Sequence, residues 1–490
     1  MRHAVQLLAW LVALVAVTLF PFEFQLAPGA LVARWDGIWP DRIPLAADVA
    51  LNVLLFVPFG IWWRGLGRRE RRLSPLWRAG VTGLCISAGI EILQGFMPRR
   101  DMSVVDLLAN GAGAVTGAWR CGVFGPPVAA RTERIRDSAS PVFVAAAMVS
   151  IAIATAAVAG VLQAGSRLGT WNYDYPLLVG NERSGDRPWR GRVVAVEITD
   201  AAVPSHVIRR FAGGADIELP GNRLAAFDFD GPGPHRDVAG VVPALRWTAG
   251  GEASNHGARF APGSPWLESE APAAALARRM EGSNAFSVRV VCASEDLTQV
   301  GPARILSNSM DIGYRNFTIG QQGTDLVVRV RTARTGFNGS RPEIRVPSVF
   351  TDTGIRDILV TYDGASLLVA TAGGFRVQRT DFTPGSNLAA MVTSLPIEAD
   401  ELPILAAVFT GAAFFTPGIV FGVFATGRGR IATAAVWLLL FATLLEGATC
   451  IASGRAFSGE RMLSTAAIGA LAFALGVLAC PPRQVRAVAR

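Results

Sequence analysis

The stretch EILQGFMPRRDMSVVDLLANGAG, residues 91–113, lies between two strongly apolar runs yet carries a glutamate, a glutamine, two arginines, two aspartates and an asparagine. Glu91 and Gln94 are three apart and share one helical face, with Ser87 a turn further in. Ser103, Asp106 and Asn110 follow i, i+3, i+7 spacing and share a face of the next helix. At ~1.5 Å per residue, Glu91 lies ~9 Å from the helix end near Met97. Arg99 and Arg100 fall in the short turn between, and upstream Asp48 and Asn52 at i, i+4 mark a third helix. The stretch therefore reads as the polar turn of a membrane hairpin facing a third span.

The rest of the chain supports a membrane class. Its 490 residues are 51% hydrophobic and only 17% charged, too apolar for an ordinary soluble globule. Apolar runs near the ~20 residues needed to cross a bilayer occur at 4–20, 46–63, 76–97, 103–119, 141–163, 403–425, 431–452 and 463–480, predicting about eight spans. The first run is followed by Phe20-Pro21-Phe22-Glu23-Phe24 rather than a small-residue cleavage site, so it reads as a retained helix. Basic clusters at 64–72, 131–136, 428–430 and 483–490 all fall on one side, which the positive-inside rule makes cytoplasmic together with both termini. The expected location is a bacterial inner membrane, with 165–400 outside. The net charge of +8 is placed beside spans as a topological signal, so nucleic acid is not an expected partner. Of five cysteines only Cys292 lies in the large outer segment, and no metal-ligand spacing appears, so no metal or cofactor is expected.

Between 165 and 400, Gly, Pro, Asn and Asp punctuate short runs of alternating polarity: 192–198, 286–292, 325–332, 358–362 and 366–371. Strands at this spacing with no helical pattern between them predict an antiparallel sandwich. The segments 171–198 and 301–332, with the turn Trp189-Arg190-Gly191 ahead of a strand, resemble the laminin-G or concanavalin A-like sandwich. That resemblance implies glycan binding or, in some members, glycan hydrolysis. Two facing carboxylates are not evident: Glu197 and Asp200 read as a solvated strand end. Asp311, Arg315 and Asn316 fit either a ligand or calcium loop or a turn. Trp171, Tyr173, Tyr175, Trp189 and Trp266 suit sugar stacking or core packing, the latter favoured.

Asp48-x-x-x-Asn52, Leu55 to Gly60, and Glu91-x-x-Gln94 through Pro98, Arg100, Ser103, Asp106, Asn110, Gly111 and Ala112 resemble the VanZ-like membrane protein family over about 1–120. Ser103 departs from the family, in which an acid is common there. The resemblance implies a bacterial envelope location and a link to low-level glycopeptide antibiotic resistance, and it implies no particular reaction.

Ionisable groups inside a membrane cost ~2.5–3.5 kcal/mol each on insertion scales, so they are usually paired and functional. The expected ligand-binding set is Asp48, Asn52, Glu91, Gln94, Arg100, Ser103, Asp106 and Asn110, receiving the polar head of an envelope lipid or glycan. The sandwich would then capture glycan or a partner protein. The alternatives are interhelical glue, with Asp106 on Arg100 and Glu91 on Gln94 or Asn110; a membrane-embedded enzyme modifying a lipid-linked precursor, with Ser103 beside Asp106; and a structural anchor displaying the sandwich. Catalytic residues are not assigned: no His lies near the cluster.

The expected organisation is a VanZ-like domain at 1–122, a basic cytoplasmic loop with a fifth span at 123–164, the sandwich at 165–400 and a three-helix unit at 401–490. The last unit looks like a copy of 46–120. Phe415 to Gly418 stand for Phe56 to Phe59, and Glu446, Arg455 and Ser458 repeat the spacing of Glu91, Arg100 and Ser103. Thr449, Arg461 and Thr465 replace Gln94, Asp106 and Asn110, so a copied unit would have lost the polar site.

Overall fold

The computed structural model describes residues 46–66, 74–97, 103–138, 140–250, 256–374, 377–392, 399, 401–424 and 429–479, with single positions between 7 and 19. The chain divides into two compact units, one built mainly on residues 1–145 and the other on 146–421 with 425–477.

The first unit holds α1 (Ala46–Leu66), α2 (Pro75–Gln94) and α3 (Val104–Ser138). Ser74 caps α2 by accepting the Trp77 N–H at 3.2 Å, and Pro75 occupies the first helical position, where a missing N–H costs nothing. Side chains of the N-terminal segment, Leu7, Leu14 and Leu19, pack with Phe56, Phe59, Ile90 and Ala114. The crossing of α1 and α3 is set by glycine. A Cβ on Gly113 would stand 2.2 Å from the Val53 carbonyl oxygen, one on Gly117 2.0 Å from that of Val57, and one on Gly60 2.0 Å from that of Ala114. Only residues without a side chain let the two backbones approach so closely.

The second unit contains α4 (Pro141–Gln163), the β-rich region, α7 (Pro384–Val392), α8 (Leu402–Phe424), α9 (Arg430–Ser453) and α10 (Gly459–Ala479). α9 ends at Gly454, whose φ of 74° is the left-handed conformation glycine adopts without strain.

The β region is a two-layer antiparallel structure. One sheet runs β11-β10-β9-β8-β1-β6-β4, and the other runs β14-β13-β12-β7-β2-β3 with β5 also on β2. Their ranges are β1 177–179, β2 191–199, β3 223–228, β4 245–247, β5 258–260, β6 267–269, β7 286–294, β8 303–309, β9 315–322, β10 325–330, β11 344–346, β12 355–362, β13 366–371 and β14 377–381. Alternate residues of β2 and β7, such as Val196, Ile198, Val288 and Val290, meet Ile305, Phe317, Ile319 and Val328 of the facing sheet in one continuous core. β8 and β9 are buried on both faces. The outer face of β12 and β13 is covered by α5 (Ser205–Ala212), whose Ile208 and Phe211 pack on Leu359 and Leu368. In the Trp189-Arg190-Gly191 turn, a Cβ on Gly191 would lie 2.5 Å from both the Ala293 oxygen and the Trp189 ring, so the indole closes over a bare backbone.

Two expectations need correction. α3 runs unbroken to Ser138, so the basic stretch 131–136 is a helical extension rather than a loop: nothing between Trp119 and Ser138 breaks the helix, because Pro126 and Pro127 do not stop it. The β region is not free of helices, since α5 and α6 (Ala274–Ser283) lie within it as short amphipathic covers. Among the described residues, five helices are long and apolar enough to cross a membrane: Pro75–Gln94, Pro141–Ser166, Leu402–Phe424, Arg430–Ser453 and Gly459–Val477. The first apolar run falls largely outside the described residues, as do Arg99, Arg100, Arg428, most of the basic cluster at 64–72 and all of that at 483–490.

Cys292 lies on β7, fully buried in the sandwich core, and burial pushes its thiol up to about 12. Because the reactive species is the thiolate, Cys292 of the folded chain is expected to resist maleimide between about pH 7 and 9 and to label fully on denaturation. Peptide-resolved mass spectrometry checks this, and native labelling would show the core to be open.

Candidate functional site

In the first unit the polar residues of α1, α2 and α3 meet in pairs. Asn52 on α1 donates Nδ2 to Asp106 Oδ1 on α3 at 2.6 Å. Asn110, one turn along α3, donates Nδ2 to Ser87 Oγ on α2 at 2.9 Å. Gln94 at the end of α2 donates Nε2 to the Thr18 carbonyl at 2.8 Å, tying down the N-terminal segment. Ser103 caps α3, its Oγ accepting the Asp106 N–H at 3.3 Å. Glu91 reaches back across the turn, and its Oε2 accepts the Ser103 N–H at 2.8 Å. The carboxylate thereby satisfies one of the orphan donors at the start of α3.

Two acceptors are left over. Glu91 is 7% exposed, and its other oxygen has no hydrogen-bond partner among the described residues; the Asn110 Oδ1 is buried and also without one. Seven of the eight expected residues thus sit on three adjoining helices. The exception is Arg100, which lies outside the described residues; of Asp48 only its place in the first turn of α1 is described. The proposed partnerships of Glu91 with Gln94 or Asn110 do not occur. Gln94 is spent on Thr18 and Asn110 on Ser87, while the capping geometry claims Glu91.

The second unit contains the same local geometry at the same spacing. Glu446 Oε1 accepts the Ser458 N–H at 3.1 Å, and Ser458 Oγ accepts the Arg461 N–H at 3.3 Å. Here the carboxylate is saturated, because Arg455 grips it in two parallel bonds, Nη1 to Oε1 at 2.6 Å and Nη2 to Oε2 at 2.8 Å. Arg461, in the position matching Asp106, turns toward the sandwich, where its Nη2 donates to Ser366 Oγ at 2.7 Å and lies 3.3 Å from Asp363 Oδ2.

The sandwich residues offered as sugar platforms are mostly structural. Trp171, Tyr175 and Trp189 are buried, with Trp171 Nε1 donating to the Arg331 carbonyl and Trp189 Nε1 to Gln321 Oε1, each at 2.8 Å. Tyr173 and Trp266 pack partly buried against the same core. Asp311 folds an Asx turn, accepting the Gly313 and Tyr314 N–H groups, and Asn316 bridges Asn172 and Asn308. Glu197 pairs with Arg223 and Asp200 caps Asn222. Among the described residues no group of His, Cys, Asp and Glu is arranged to hold a metal.

Sequence reasoning missed a buried charge network in the sandwich. Arg304 donates Nε to Glu182 Oε2 at 2.9 Å and Nη1 to the Pro302 carbonyl at 2.6 Å, and Ser309 donates to the same carboxylate. Arg315 is fully buried beside them with Nε and Nη1 unpartnered, and burial and the Arg304 charge pull it down to about 9. Glu182 and Arg304 are 122 positions apart, so no local pattern announces the pair.

A membrane part with apolar helices and a separate β-sandwich define the class: a membrane protein of the cell envelope. Residues 7–125 match the VanZ/LLP1 family model, so the N-terminal part, which holds the Glu91 cluster, is VanZ-like. No curated protein and no solved structure matches the chain.

Proposed function

We propose that the VanZ-like part receives the polar head of an envelope lipid or lipid-linked glycan at Glu91, Asn52, Gln94, Ser103, Asp106 and Asn110, with Asp48 and Arg100 completing the site. The observation that carries this reading is Glu91 itself: a carboxylate almost wholly buried near a helix end, held by one backbone N–H and keeping one oxygen unused, with a second unused acceptor, the Asn110 oxygen, on the adjoining helix. Such acceptors suit hydroxyl or amine donors of a head group. In this reading the protein sits in the bacterial inner membrane with both termini cytoplasmic, and the sandwich, of laminin-G or concanavalin A-like type, stands outside to hold glycan or a partner. A link to glycopeptide tolerance follows from the family resemblance. The shared capping pattern around Glu91 and Glu446 supports reading 401–490 as a degenerate copy of 46–120.

A second reading, interhelical glue, is favoured by the cross-helix pairs Asn52–Asp106 and Asn110–Ser87. Glu91→Gln separates the two. It keeps one carbonyl oxygen for Ser103 and removes the charge. The binding-site reading expects a monodisperse, folded protein whose cross-linking to a photoactivatable envelope lipid falls about tenfold, the worth of a charge-assisted hydrogen bond. Loss of folding with proportionate loss of cross-linking would favour glue.

A further inference from the structure

The second unit encloses a cavity of ≈390 Å³ at the level where its helices end and the sandwich begins. Gln163 closes α4, Thr449 lies in the last turns of α9, Glu460 opens α10 and Ala406 belongs to the first turns of α8, and all four line it. The rim on the sandwich side is Arg379 and Asp381 of β14, and the inner wall is Phe409, Leu445 and Ile468. A volume in the range of small-molecule sites, polar at one end, apolar at the other and lying at the ends of apolar helices, suits a molecule with a polar head and apolar chains.

The charges are balanced but incompletely used. Arg379 pairs with Asp381 at 2.9 Å, Arg455 with Glu446, and Arg461 with Asp363 and, at 3.8 Å, Asp381. Arg455, 6% exposed at its side chain, keeps a buried Nε–H with no partner, a cationic donor lacking an acceptor. Glu460 lines the same cavity, and no described residue pairs with its carboxylate. An occupant must therefore supply an anionic acceptor and a cationic donor while presenting no net charge to a neutral lining.

We propose that this cavity binds a phosphate-bearing, amine-terminated head group, the chemistry of an aminophospholipid: the phosphate toward Arg455 and Arg461, the ammonium toward Glu460, and the chains along Phe409, Leu445 and Ile468. Charge-assisted bonds from guanidinium to phosphate supply the affinity, and the carboxylate supplies the preference for a primary amine. The site is separate from the Glu91 cluster, and its existence does not depend on that cluster binding anything.

The full chain in nanodiscs, challenged with photoactivatable phosphatidylethanolamine, phosphatidylcholine and phosphatidylglycerol, tests this by mapping cross-links to α8–α10. Phosphatidylethanolamine is expected to label about tenfold above the other two. Thr465→Trp, which fills the cavity, should abolish labelling there while leaving labelling near Glu91 unchanged. Glu460→Gln, at an exposed position, should keep the fold and erase the difference between ethanolamine and choline lipids. Competition by free phosphoethanolamine assigns the same chemistry to a soluble ligand, and failure to compete assigns it to the lipid. Equal labelling by all three lipids, or an undiminished preference in both variants with normal gel-filtration profiles, would overturn the proposal.

Discussion

Arg304→Ala is expected to destabilise the sandwich by about 3–5 kcal/mol, the usual cost of removing one partner from a buried ion pair. Arg304 and Glu182 are 1% and 0% exposed, so water cannot replace the missing guanidinium. Glu182→Gln should cost at least as much, because it removes the counter-charge from two buried, mutually repelling cations, Arg304 and Arg315. The double change Arg304→Met with Glu182→Leu should recover most of the loss, since apolar residues of similar volume remove both desolvation penalties together. Thermal unfolding of the full chain followed by near-ultraviolet circular dichroism of the buried tryptophans provides the measurement. Equal stability of all three variants would mean that the pair is solvated in the folded protein.

Gly113→Leu should prevent assembly of the VanZ-like unit. Its Cβ would lie 2.2 Å from the Val53 carbonyl oxygen, an atom of the α1 backbone that cannot swing aside. Relief requires the helices to separate, breaking the neighbouring approaches at Gly60 and Gly117 and stretching Asn52–Asp106. The loss should exceed the ~1–3 kcal/mol typical of overpacking a flexible side chain. Gly89→Ala on α2, where nothing lies within 4 Å, is the matched control and should be tolerated. Fluorescence-detected gel filtration distinguishes them: a monodisperse peak for Gly113→Leu would show that α1 and α3 do not cross there.

Much of this architecture is legible in local pattern. Alternation at 192–198, 286–292 and 366–371 reports strands because β2, β7 and β13 each turn one face to a common core. Strands such as β8 are harder: ARILSNS is buried on both faces, its polar residues satisfied by distant loops, so it carries no clean period. The basic end of α3 is not legible in the same way, because a run of charge after an apolar stretch looks like a loop, whereas a helix can continue through charged residues. At the polar cluster, helical spacing identifies which residues share faces. It does not identify partners, which depend on rotation and depth: Glu91 binds a backbone N–H that no side-chain pattern advertises, and Asn110 chooses Ser87. The cavity above α8–α10 draws on Arg379, Asp381 and Arg461, brought together only by the fold.

The junction between helices and sandwich has a consequence for how the protein is made. Gln163, the last residue of α4, donates Nε2 to the Phe382 carbonyl 219 positions later, Asn387 donates Nδ2 to the Leu162 carbonyl, and Tyr362 Oη bonds the Ser166 carbonyl. None of these bonds can form until the chain has been synthesised past the sandwich, because each joins the end of α4 to a residue 196 to 225 positions later. Until then the amides of Gln163 and Asn387 must find solvent, and closing so long a loop without an ordered sandwich carries a large entropic cost. The clasp therefore ties the two ends of the sandwich to one point, so that the β-structure is anchored at the end of α4 by both its entering and its leaving chain.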